Sequence, residues 1–301
     1  MDNLTHSLVG LAIAHSGFRR RTAMATAALV IGANLPDVDA VMTFTGDPTH
    51  ALAHRRGWTH GVLALAIWPF VLTWLLLWWD RRKRRTDALR PVPDTRWLFL
   101  AGTVGIISHP ILDWMNSYGV RLLMPFSDRW FYGDAWFIVE PWVLAVLAIG
   151  LILATRQGLR WAAPVTVGVL GAYAIAMVAS SRLGRRVVAE QAPLPPARAI
   201  TVSPTFTSPM LRTVIRDLGS AYEYGTLHWH DGGRYAVTGS DSAGTSARLL
   251  DAVRATDAGA RYLRWSRYPL LRVEGDSVVL SDARYGRGRS AAWAVVKVGV
   301  R

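Results

Sequence analysis

Apolar stretches dominate the chain up to about residue 181, at roughly 4–17, 22–42, 59–79, 97–117, 135–154 and 161–181. A helix needs about 20 apolar residues to cross a bilayer core. The second, third, fourth and sixth stretches reach that length comfortably. The fifth carries Glu140-Pro141 near its start, and the first, about 14 residues long, suits a short tilted or re-entrant helix. The pattern predicts about six helices, the first one short.

Beyond about residue 185 the pattern changes. QAPLPPARA, residues 191–199, is proline-rich and predicts an extended linker. YEYGTLHWH and RYAVTG alternate polar and apolar residues on either side of a DGG turn, as a hairpin does. A helix is expected at about 245–256, and RVEGDSVVL and WAVVKVGV read as further strands. The expected fold is a multi-pass α-helical membrane protein with a small C-terminal α+β domain. Its parts are a helical domain over 1–184, a Pro-rich linker over 185–199 and a soluble α+β domain over 200–301.

Charge adds orientation. The formal net charge is +13, carried almost wholly by arginine. Arg19, Arg20 and Arg21, the RRKRR run at 81–85, and Arg156 with Arg160 lie between apolar stretches. The positive-inside rule makes those loops cytoplasmic. Alternation then places the N-terminus, the 43–58 and 118–134 loops and the C-terminal domain outside. RLGRR, residues 182–186, argues against an outside domain, although long translocated domains depend less on charge. The arginines set topology in this way, and no nucleic-acid partner is expected. The start, MDNLTHSLVG, lacks the basic segment of a cleavable signal peptide. The chain has no cysteine, which excludes disulfides, thiolate nucleophiles and thiolate ligands.

Polar residues inside or beside the apolar stretches are the candidate chemistry. These are His6, Asp37 and Asp39 in NLPDVD, His54 and His60 in HRRGWTHG, His109 and Asp113 in SHPILD, and Glu140. The topology drawn from arginines gathers all eight at the outer face. A carboxylate in hydrocarbon costs on the order of 3 kcal/mol, so such groups persist when paired, metal-bound or facing water. His109 and Asp113 are four apart and share a helix face. Pro110 is expected to bend or restart that helix, and Pro36 favours a turn that aims Asp37 and Asp39 inward. Each residue also has a plainer role: helix cap, turn, interfacial histidine or buried hydrogen-bonded pair. His228 and His230 share a strand face, where surface histidines are commoner than ligands. No phosphate loop, HExxH or nucleophile elbow is present.

MDNLTHSLVGLAIA, GANLPDVD, HRRGWTHG and SHPILDWMNSYGVRLLMPF together resemble the YdjM-type family, described as inner-membrane-associated metal-dependent hydrolases. SPTFTSPMLRTVIRD and YLRWSRYPLLRVE resemble that family's soluble tail, so the likeness spans nearly the whole chain. It implies His6, Asp37, Asp39, His60, His109 and Asp113 as the metal set, with His54 fitting the histidine that opens its segment. Glu140 is added from position alone. A LexA-binding label also attaches to the family, but no residue here suggests a DNA-binding element. The His and PDxD elements are faintly similar to zinc-dependent phospholipases C, over too short a stretch to carry their activity.

The resulting expectation is a hydrolase of the bacterial inner membrane that uses a divalent ion, zinc first, with manganese or magnesium as alternatives. Asp39 or Glu140 would act as general base. The substrate would be a membrane lipid or phosphoester, and Arg55, Arg56, Arg121 and Arg129 suit its anionic headgroup. Two alternatives stay open: a structural metal site with an interaction tail, and an ion-coupled transporter.

Overall fold

A computed structural model describes residues 1–87, 89–192, 194–285 and 292–300. The chain divides into two units: Met1–Asp39 with Arg56–Val178, and Ala40–Arg55 with Ala179–Arg301.

The first unit is helical. It contains α1 (Asn3–His15), α2 (Ala25–Gly32), α4 (Val62–Arg84), α5 (Thr95–Trp114), α6 (Pro141–Thr155) and the first part of α7 (Ala162–Gln191); α3 (Pro48–His54) belongs to the second unit. Asp2 caps α1 by accepting from the N–H and hydroxyl of Thr5, and Asp94 caps α5 by accepting from the N–H groups of Arg96 and Trp97. The central helix is α5, against which α1, α2 and α4 pack. A side chain at Gly105 would lie 2.6 Å from the Leu29 carbonyl oxygen, so glycine here lets two helix backbones touch.

Among the described residues, two helices are long and apolar enough to cross a membrane, α4 and α7. The bent pair Ala25–Gly32 and Leu35–Phe44, with a 43° angle at the break, would make a third. By length and composition the described helices thus supply two candidate spans, or three with the bent pair, where six apolar stretches were expected. The expected 22–42 helix is interrupted at Ala33-Asn34, where the chain passes into a 3₁₀ stretch, Leu35–Thr45, that contains Pro36. The fifth stretch becomes helical only at Pro141, because proline suits a first helical position; α6 is then about 22 Å long, short of the ~30 Å core. In α5, His109, Pro110 and Asp113 dilute the apolar character, and the helix buries much of its surface against protein. Pro110 does not restart α5, which continues to Trp114.

The second unit is α+β. Strands β1 (Ala199–Pro204), β2 (Leu211–Asp217), β3 (Ala221–His228) and β4 (Arg234–Ser242) form an antiparallel sheet in sequence order. Helices α8 (Ala247–Arg254) and α9 (Asp257–Trp265) precede a second sheet of β5 (Pro269–Glu274), β6 (Ser277–Asp282) and β7 (Val296–Gly299). The expected hairpin is β3–β4, and Gly232 and Gly233 supply its positive φ angles of 68° and 81°. The expected helix and later strands also form. α7 remains helical through Gln191, so the first part of the expected 185–199 linker is helix; it is stopped by the prolines that follow, and its Val188 packs with Val202, Val214 and Leu227. α3 packs on α9, where Arg261 donates to Thr49 and Asp47.

Asp282 anchors the second sheet. Burial alone would raise its carboxyl, but the Arg284 guanidinium and hydrogen bonds from Arg284 and Ser266 hold it below the ordinary 3.8. A folded value below the unfolded one gives stability that is complete above about pH 4 and lost as pH falls through the folded value. Asp282→Asn is expected to cost about 3 kcal/mol near neutrality, because it strands the Arg284 charge. It should also flatten the acid-side decline in melting temperature below about pH 4. Parallel melting-versus-pH curves for the two proteins would assign that decline to other carboxylates.

Candidate metal centre

Four side chains converge inside the first unit. One donor atom from each of Asp37, His60, His109 and Asp113 lies within 4.8 Å of all the others. The two Nε2 atoms of His60 and His109 are 3.1 Å apart, and each lies 3.4 Å from Asp113 Oδ2. Asp37 Oδ1 completes the group, 3.9 Å from His60 Nε2 and 3.7 Å from His109 Nε2.

These separations test whether a metal fits. Four-coordinate zinc with bonds of about 2.0–2.1 Å to nitrogen and oxygen has ligand–ligand edges of roughly 3.3–3.4 Å. The observed 3.1–3.9 Å brackets that edge. Two imidazoles and two carboxylates also form a sensible donor set for a divalent ion. The group fits.

The chain's local folding explains how the donors meet. α2 ends at Gly32, which leaves the Ala33 carbonyl outside the helical ladder, and His109 Nδ1 binds it at 2.6 Å. With Nδ1 as the donor in that bond, His109 Nε2 is left with its lone pair toward the group. His60 is held on its other side: its Nδ1 lies 2.9 Å from Thr59 Oγ1 and 3.4 Å from Asp39 Oδ2. Asp37 and Asp39 sit on the 3₁₀ stretch, where a two-residue step separates them by about 120°. One carboxylate therefore enters the group and the other supports it.

Asp113 divides its two oxygens. Oδ2 faces the histidines, while Oδ1 accepts from the Met1 amino group and lies 2.8 Å from Arg56 Nη2. Arg56 also donates to the Gly119 carbonyl and lies over the Tyr118 ring, 4.8 Å to its centroid. His6 stacks on His109 with centroids 4.0 Å apart, and its Nε2 is 3.5 Å from Asp113 Oδ1.

Several sequence expectations change here. Asp39 is outside the four-donor group; its Oδ2 accepts from the Arg56 N–H and the Thr59 hydroxyl, which argues against its use as a general base. Glu140 is also outside: its oxygens accept from the Phe137 N–H and the Tyr173 hydroxyl, so it organises the start of α6. His54 is not a donor to the group; it is exposed on α3, with Nδ1 2.9 Å from the His50 carbonyl oxygen. His6 adjoins the group without joining it. Arg55 ends α3. Arg121 is buried beside Asp128 and the Trp130 ring, and Arg129 is exposed over the Phe131 ring. His228 and His230 do converge with Asp231, but at the surface of the β3–β4 hairpin. Sequence reading missed Thr59 and the Ala33 carbonyl. Thr59 has a weak signal in its adjacency to His60, whereas a backbone carbonyl has none.

The family model described as YdjM inner membrane protein matches residues 1–183. The chain belongs to this family. A curated relative, "Uncharacterized protein YfhP" of Bacillus subtilis (strain 168), is 26% identical over 138 residues, 43% of this chain and 39% of its own length. The match thus covers about two fifths of that relative. No solved structure matches. All four group residues lie within the span of the YdjM match.

In this YdjM family member, Asp39→Ala is expected to weaken divalent-metal affinity about 10–100-fold, the usual effect of losing a carboxylate that orients a ligating histidine. Saturating metal should still reach the wild-type stoichiometry. Competition against a chromogenic chelator reads both quantities, and an unchanged affinity would remove Asp39 from any role at the centre.

Proposed function

We propose that this chain is a membrane-bound, metal-dependent hydrolase acting on a lipid or phosphoester, with zinc held by Asp37, His60, His109 and Asp113 at the outer face of the inner membrane. The observation that carries this is the spacing of four donors from three separate segments, three of them buried and Asp37 partly so, at edges close to those expected around one ion. A divalent ion at this position supplies Lewis-acid polarisation of the scissile group.

The chain's own residues do the rest. Asp39, Thr59 and the Ala33 carbonyl fix the two imidazoles. Arg56 and the Met1 amino group balance the charge of Asp113 on the side away from the histidines. His6 Nε2, at the edge of the group, is placed to hold the proton given up by an attacking water and return it to the leaving oxygen. The bond broken is that between phosphorus or acyl carbon and the leaving oxygen. Arg129, exposed on the 118–134 loop, suits an anionic headgroup. Depth also favours a membrane substrate, because the span α4 begins at Val62, two residues after His60.

The test is hydrolysis of anionic phospholipid and simple phosphodiesters by zinc-loaded protein in detergent. Turnover is expected, abolished by chelation and by Asp37→Asn. His6→Gln should retain metal and lose most of the turnover. A metal-loaded protein inert toward the whole substrate panel would overturn the hydrolase assignment and leave a structural metal site.

A further inference from the structure

An apolar stripe runs along α4 and continues onto a loop that is tied to the metal centre. Leu63, Ile67, Phe70 and Trp74 are spaced by four, three and four residues, so they share one helix face, and each is at least 45% exposed. The 118–134 loop adds Leu123 and Phe126, the latter 75% exposed. This loop lies directly against the start of α4. The Val62 N–H donates to the Leu122 carbonyl, and a side chain at Gly61 would sit 2.3 Å from the Met124 carbonyl oxygen. Only glycine, next to His60, allows that approach. On its other side the loop is held by Arg56, which donates to the Gly119 carbonyl and accepts at its own carbonyl from the Arg121 N–H. Arg56 in turn binds Asp113. The loop is therefore one residue away from a metal donor along two routes, His60 through Gly61 and Asp113 through Arg56.

Its sequence turns over within a few positions. Apolar Leu123 and Phe126 are followed by Ser127, Asp128 and Arg129, the last two exposed. Such a change, at the end of a helix long and apolar enough to span, fits the boundary between hydrocarbon and headgroups. An apolar stripe of this kind, exposed on a helix long and apolar enough to span, marks a surface that meets a membrane or a partner.

We infer that the 118–134 loop is a membrane-inserted lip, with Leu123 and Phe126 in hydrocarbon and Arg129 at headgroup level, and that the centre takes an acyl-chain amphiphile arriving from the bilayer. This rests on the hydrolase proposal for its chemistry, but its placement is independent of turnover. Tail contacts would lie along α4 and the lip, and the polar bond of the amphiphile would face the metal donors.

The absence of cysteine makes a direct test clean. Single cysteines at Phe126, Leu123, Arg129, Ile67 and Ser240 would be nitroxide-labelled in the full chain. The proteins would be reconstituted in phosphatidylethanolamine–phosphatidylglycerol vesicles. Collision rates with oxygen, which partitions into lipid, and with a water-soluble nickel chelate give the depth of each label. Labels at Phe126 and Leu123 should match Ile67, favouring oxygen several-fold, whereas Arg129 should approach the aqueous value of Ser240. Aqueous values at both Phe126 and Leu123 would overturn the lip, whatever Ile67 shows. Metal content of each labelled protein is read in parallel. Aqueous lip labels with full metal would sink only the lipid-entry route, while lipid-phase labels without bound metal would sink the hydrolase reading and leave the lip. Two label sites keep the test decisive if one substitution fails to fold.

Discussion

His60→Ala is expected to release the metal. Structural zinc sites bind with roughly 10–16 kcal/mol shared over four donors, so one lost donor costs about 3 kcal/mol, on the order of 100-fold in affinity. His60 also aligns its neighbours: its Nε2 lies 3.1 Å from His109 Nε2, and its Nδ1 side is where Asp39 and Thr59 exert their hold. The loss should therefore exceed that of Asp39→Ala. Wild-type protein purified without chelator should carry one divalent ion per chain by mass spectrometry, with His60→Ala and Asp37→Asn below a tenth of that at equal ionic conditions. Retention of the fold is checked by circular dichroism. If the wild type stays metal-free after divalent ions are added back, the centre does not exist and the hydrolase proposal falls with it.

Asp113→Asn should do more than lose metal. Asp113 is buried, and its Oδ1 faces two cationic groups, the Arg56 guanidinium and the Met1 amino group. Removing one member of a buried ion pair strands the other and typically costs about 3–5 kcal/mol. This penalty does not depend on bound metal, so it should appear in thermal melts run in detergent with excess chelator. Asp37→Asn, which removes a donor of the same kind and leaves the Asp113–Arg56 pair intact, serves as the comparison and should melt above Asp113→Asn. Adding Arg56→Met to Asp113→Asn should recover part of the loss, because an apolar replacement removes the stranded charge. If the two single variants melt together without metal, the carboxylate is a ligand and nothing more.

The centre was partly legible in the sequence because buried carboxylates and histidines are expensive and therefore stand out. Asp37, His60, His109 and Asp113 could be picked out on that ground. What could not be read was the division of labour. Asp37 and Asp39 look equivalent in NLPDVD, and only the 3₁₀ path of the backbone gives them different directions. His54 and His60 share one short motif, yet Arg55-Arg56-Gly57 separates an exposed helix end from a buried donor. Glu140 looked functional because it is acidic at the edge of an apolar run, but its partners, Phe137 and Tyr173, come from a local turn and a distant helix. The hairpins and later strands followed from alternation and turn glycines, which act locally. Helices form at all six apolar stretches, but hydropathy measures apolar content and cannot tell a lipid-facing helix from one such as α5 that packs against its neighbours.

The hydrogen bond from the Arg56 N–H to Asp39 Oδ2, 2.8 Å long, has a topological consequence. It pinches the chain at the two residues that flank the excursion 40–55, just where the helical unit is left and re-entered. Whatever lies beyond the pinch is a closed loop whose ends are already fixed. Doubling the length of such a loop costs only about 0.6 kcal/mol in chain entropy. The excursion is thus a place where the chain can be lengthened, shortened or rewritten while Asp37, His60, His109 and Asp113 keep their positions.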